Sequence, residues 1–223
     1  MPVTVHEVAR ALPDPEALRR RCRALALAEA ILSPDQESRY YRYDAHWGPG
    51  AELASMDNGS GDAYSIVFTA VGTFIRGFDH ESQMSPAVND GEVWPGVVDQ
   101  VPEVFADQVD EPAFSFDDTI EATCCLWRQV ADDRWHAGEI DFPDGIDPDC
   151  ALGLFGVLLD PTPATYRGFA EDYYELDVDP GALTEIYAAR PLTEELVRRL
   201  NPELSLADLA DDLDAMGQPL RSV

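Results

Sequence analysis

The sequence predicts an α+β fold: an N-terminal helix, an antiparallel β-meander with a second β-hairpin, and a C-terminal helical bundle packed on the sheet. Two observations carry this. Helical periodicity, two-residue alternation and helical periodicity again follow one another in that order, without the β-α-β alternation of a doubly wound sheet. Glycine-rich turn signals also divide the alternating stretches at hairpin distances. With 223 residues, 45% of them apolar, the chain can bury a substantial core. It reads as one domain over 1–223, with a helix at 14–32, a β-rich part at 38–143 and a helical part at 147–217.

The first helix opens with Asp14 as N-cap, Pro15 at the first helical position and Glu16 in the first turn. Leu18, Cys22, Leu25 and Leu32 recur at helical spacing, and Ser33-Pro34 stops the run. The arginines of RRRCR (19–23) are expected to pair with the chain's own carboxylates. The residues before this helix, His6 among them, read as an arm.

In SRYYRYDAHW (38–47), Arg39, Tyr41, Tyr43, Ala45 and Trp47 fall on one face, and Tyr40, Arg42, Asp44 and His46 on the other. GPG (48–50), NGSGD (58–62) and AVG (70–72) then turn the chain between AELASMD, AYSIVFT and TFIRGFDHE, which makes a meander. Residues 82–118 hold no sustained period and are expected to form a long excursion with one short helix around 96–107. TIEATCCLWRQV and RWHAGEIDF flank ADD (131–133) as a second hairpin.

From 147 onward the pattern is helical. DCALGLFGVLLD is apolar nearly all round, and Tyr166, Phe169 and Tyr173 share a helical spacing in the next segment. Ser205 with Asp208 has the form of a capping box, and Gly217 that of a helix-ending glycine.

Charge is the strongest global signal. There are 43 acidic residues against 15 basic ones, all arginine, for a formal charge of −28. Residues 1–50 balance seven arginines with seven acids, so the remainder supplies the whole excess. Such a surface repels phosphate backbones and anionic headgroups, which argues against nucleic-acid and membrane partners. No apolar run has the length of a spanning helix. The N-terminal stretch lacks the pattern of a secretory signal, so a cytoplasmic location is the expectation. The acidity itself fits an ordinary solvated surface, adaptation to high salt, or the steering of a basic partner.

Cys22, Cys124, Cys125 and Cys150 form no C-x-x-C pair, which argues against a zinc ribbon or a thioredoxin motif. They read as small buried hydrophobes in a reducing compartment. NGSGD is not a phosphate loop, and DFPDGIDPD (141–149) lacks the EF-hand pattern. No cofactor is expected.

One stretch concentrates chemistry: RGFDHES (76–82). Asp79, His80 and Glu81 are candidate metal ligands, and the same three with His46 are candidate acid–base groups. In a regular strand Asp79 and Glu81 share one face and His80 takes the other. A triad therefore needs the strand to end or to bulge, with Gly77 as the candidate bulge. His46 joins only if the first and last strands of the meander are neighbours. Trp47, Trp94, Tyr173 and Tyr174 are candidate partner-binding aromatics. The functional expectation is an acidic protein-binding module of inhibitor or immunity type that recognises a basic protein. The alternative is a metal-assisted or acid–base enzyme using Asp79 and Glu81 with a histidine.

Overall fold

A computed structural model describes residues 3–219. The stretch expected to be an arm is a helix, α1 (Val5–Ala11). Its start is fixed by a capping box, in which Thr4 accepts from the His6 N–H and Glu7 accepts from the Thr4 N–H and hydroxyl. The helix α2 (Pro15–Leu32) begins as its sequence dictates, with the Asp14 carboxylate accepting from the Ala17 N–H at 2.9 Å. Three of its four arginines turn to the chain's own carboxylates, with Arg23 reaching Glu52 at 2.9 Å, Arg20 reaching Glu16 at 3.5 Å and Arg19 reaching Glu16 at 3.4 Å, while Arg21 donates to the Leu158 carbonyl.

Four strands follow as an antiparallel meander: β1 (Tyr41–Gly48), β2 (Ala51–Asp57), β3 (Ala63–Phe68) and β4 (Gly72–Phe78). The excursion over the sheet holds one short helix, α3 (Ala106–Val109), preceded by a 3-10 turn at Glu103–Phe105, at the end of the range 96–107 in which a short helix is expected. It then makes a small hairpin of its own, β5 (Ser115–Phe116) and β6 (Thr119–Ile120). Asp117 and Asp118 take φ of 47° and 63° at its tip, the backbone a two-residue turn demands.

The strand β7 (Cys124–Gln129) returns to pair with β4, which gives the sheet order β1-β2-β3-β4-β7. The second hairpin expected around residues 131–133 is present only as its turn and one antiparallel bridge. β7 takes β4 as its partner, and the chain after the turn meets it at one bridge, Trp127 with His136. A reason lies in Gly96 and Gly138, whose backbones cross so closely that neither has room for a side chain. That crossing pins residues 138–140 to the excursion and ends their pairing with the sheet at His136. Five C-terminal helices complete the described residues: α4 (Ala151–Leu159), α5 (Ala164–Tyr174), α6 (Pro180–Tyr187), α7 (Glu194–Leu200) and α8 (Ala210–Ala215). The capping box of Ser205 with Asp208 is formed, and Gly217 has a φ of +70°.

The sheet is covered on both faces, which explains why all seven residues of β4 are buried. On one face Tyr43, Tyr64, Ile66 and Ile75 meet Leu18 and Leu25 of α2 and Phe155 of α4. On the other, Val67, Phe74 and Trp127 meet Met84, Val97, Phe105 and Phe114 of the excursion. Adjacent Cys124 and Cys125 fall in opposite cores, as strand alternation requires.

Two expected regularities differ. The register of β1 against β2 shifts between Asp44 and Gly48, so Trp47 leaves the face of Tyr41 and Tyr43 and stacks on Phe114 at 5.8 Å. Gly77 carries no bulge: it pairs regularly with Tyr64 and Cys124. Its missing side chain serves packing, since a Cβ there would lie 2.8 Å from the Phe155 ring. That is how α4 comes to sit close to the sheet.

Candidate functional site

The β3–β4 hairpin sets the local geometry. Ala63 pairs with Phe78, so the next position outward places Asp62 across from Asp79. Asn58 fixes the turn below: its carbonyl oxygen accepts from the Ser60 and Asp62 N–H groups, and its amide donates to Asp62 at 2.6 Å. The sheet ends at Phe78, which frees Asp79 and His80 from strand alternation. Asp62 Oδ1 accepts from the His80 N–H at 3.1 Å and stands 2.7 Å from His80 Nδ1.

One donor atom from each of Asp62, Asp79 and His80 lies within 4.8 Å of the others. Glu81 is exposed, stands outside this set, and uses its N–H to bond the Asp79 carboxylate at 2.9 Å. The triplet therefore divides: Asp79 and His80 converge with Asp62, and Glu81 does not. His46 is remote. Its strand is separated from β4 by β2 and β3, about 14 Å at the usual strand spacing. It also lies near the C-terminal end of β1, which runs opposite to β4, so the two sites are at opposite ends of the sheet. The His46 ring sits 3.1 Å from the Asp214 carbonyl.

The electrostatics of the trio follow from these bonds. The hydrogen bond to Asp62 raises the His80 pKa above the ordinary histidine value. Partial burial works against ionising Asp62, but the bonds from the His80 ring, the His80 N–H and Asn58 outweigh it and hold its carboxyl below the usual range. Cys150 lies beside Asp79, and burial and that charge push its thiol up to about 12. It stays protonated at neutral pH and is a poor nucleophile.

Asp62 and Asp79 line one end of a groove of about 430 Å³. Tyr40, Tyr41 and Phe169 form an aromatic wall, and Gly153 and Gly156 of α4 face it. No other group crowds the place of a side chain at Gly156, so this wall stays open. Behind the aromatics lies Glu29, fully buried, whose carboxylate accepts from the hydroxyls of Tyr166 and Tyr174, each at 2.7 Å, and from the Tyr40 N–H at 2.8 Å. Burial outweighs these bonds and raises its pKa.

The aromatics singled out from the sequence separate by role. Trp47 is packed on Phe114, and Trp94 is half-buried with its indole N–H donating to the Asp141 carbonyl at 3.1 Å. Tyr174 is engaged by Glu29. Tyr173 is exposed and lies against Tyr40 at 4.6 Å, just outside the groove.

A second feature belongs to the excursion side. Residues 77–127 contain twelve acidic residues and no arginine. None of the twelve is buried, and nine are exposed. Among the described residues, no arginine forms an ion pair with any of them. Arg76, just before this segment, is buried and gives its guanidinium to the Glu121 carbonyl and the Phe114 ring. No family model, curated protein or solved structure matches the chain.

Proposed function

We propose that this chain is a protein-binding module that recognises a basic protein through the outer surface of the excursion, in the manner of an inhibitor or immunity partner. The observation that carries it is the uncompensated acidity of residues 77–127. An ordinary solvated surface intersperses charges of both signs. Nine of the twelve lie on the excursion at 82–118, which covers one face of the sheet and has no balancing arginine, and such a field speeds encounter with a positive surface. The β5–β6 hairpin adds an apolar contact, with Phe116 69% exposed beside Asp117 and Asp118. Exposed aromatics ringed by polar groups are favoured anchors at interfaces. The reading takes the cytoplasm as its compartment, which suits four free thiols. No helix among the described residues is long and apolar enough to cross a membrane.

The test is affinity capture from an extract of the source cells with two baits: the native chain, and a variant carrying Glu92→Lys, Glu103→Lys, Asp107→Lys and Asp110→Lys. All four positions are exposed. A basic protein retained by the first bait, lost from the second and released as salt rises supports the reading. Two baits that retain the same proteins overturn it.

A further inference from the structure

We propose that Asp62, Asp79 and His80 bind a single divalent transition-metal ion, of the Zn²⁺ or Mn²⁺ class, whose remaining coordination positions face the groove beside α4. The three donor atoms lie within 4.8 Å of one another. Atoms around one ion stand at most about 4.3 Å apart, twice a metal–ligand distance. Neighbouring donors of a tetrahedral ion stand about 3.4 Å apart, so the trio closes on an ion with side-chain shifts of at most about 1.5 Å, and its members are partly exposed.

Independent supports converge on the same place. The ligands come from two chain segments locked by strand register, not from one flexible loop. Asn58 holds Asp62 from behind, which is the role an outer-sphere partner plays at a metal site. Asp62 and Asp79 also form the end wall of the groove, so an ion held between them borders about 430 Å³ of space for water or an oxygen-bearing ligand. One imidazole with two carboxylates is a mixed nitrogen and oxygen set, which favours first-row transition metals over Ca²⁺ or Mg²⁺. With both carboxylates ionised the set balances a divalent charge. None of its ligands is among the four excursion carboxylates whose replacement tests the partner reading, so the two readings are tested independently.

The experiment is calorimetric titration of metal-stripped protein with ZnCl₂ and MnCl₂ in a background of NaCl, with CaCl₂ and MgCl₂ as controls for diffuse attraction to a chain of −28. The expected result is one Zn²⁺ or Mn²⁺ per chain at micromolar affinity. Asp62→Asn, Asp79→Asn and His80→Gln should each weaken it at least tenfold, and Asn58→Ala by about tenfold or more. Glu81→Gln should leave it unchanged. Asp79 and His80 lie beyond the strand end, so their variants keep the fold, which circular dichroism checks. Absence of stoichiometric binding, equal heats from all four salts, or a Glu81→Gln loss equal to that of His80→Gln overturns the proposal.

Discussion

Asp149 has no exposed surface, and its carboxylate joins two helices by accepting from the Val5 N–H at 2.8 Å and the Ala151 N–H at 3.2 Å. Burial outweighs those bonds, Asp147 adds a like charge, and the carboxyl is pushed up to about 6. The folded chain therefore holds a proton here that the unfolded chain has already released. Stability falls as pH rises from about 4 to about 6, by at most about 3 kcal/mol from this group. Burial raises Glu29 in the same sense. Asp160 and Asp179, lowered to about 2, lose their contributions only below this window. Asp149→Asn fixes the site neutral. Denaturant unfolding at steps from pH 4 to 6.5 should show the native chain losing stability relative to the variant, with a flat difference at higher pH. A difference that stays level across the window would contradict the assignment.

At the scale of elements, the excursion packs on the sheet through Met84, Val97, Phe105 and Phe114, and the Gly96–Gly138 crossing ties it to the chain beyond β7. Gly138→Ala drives a methyl into the Gly96 carbonyl, so the backbones must part. A loss of about 1–3 kcal/mol is expected, as for overpacked sites. Hydrogen exchange should rise across residues 82–118 and leave α2 protected. Uniform exchange across the chain would show instead that the excursion does not open as a unit. The same crossing marks what the sequence hid. Helix α2 and the meander were legible because caps, period and turn glycines act locally. The shortness of the second hairpin was not, because the Gly96–Gly138 crossing that draws its returning arm away is a contact distant in sequence. The site was half legible. DHE concentrates chemistry in three adjacent residues, whereas Asp62 closes NGSGD, whose glycines signal only a turn. Counting register outward from the AVG turn pairs Asp62 with Asp79, so the signal existed. Glu29 likewise occupies the gap in the Leu18, Cys22, Leu25, Leu32 stripe, an acid at a core position.

Over the whole molecule, −28 charges repel one another, and few arginines relieve them. The relief is local: Arg39 with Asp212, and Arg199 with Asp179 and Glu185, lie among the helices and near the first strand. The excursion has none among the described residues, so its self-repulsion is unrelieved in the folded state and weaker in the expanded one. Raising NaCl from about 0.05 M to about 0.5 M shortens the screening length from more than 10 Å to a few ångströms. Exposed ion pairs contribute little that salt can remove. The melting temperature should therefore climb with NaCl, and climb less in the variant with four excursion carboxylates replaced by lysine. The complex with a basic partner should move the opposite way over the same range, since salt screens an attraction there. Opposite signs, measured on one protein in one salt series, tie the charge to its position on the excursion. A melting temperature that rises identically in the variant would instead spread the repulsion evenly over the surface and remove the physical basis for a dedicated acidic face.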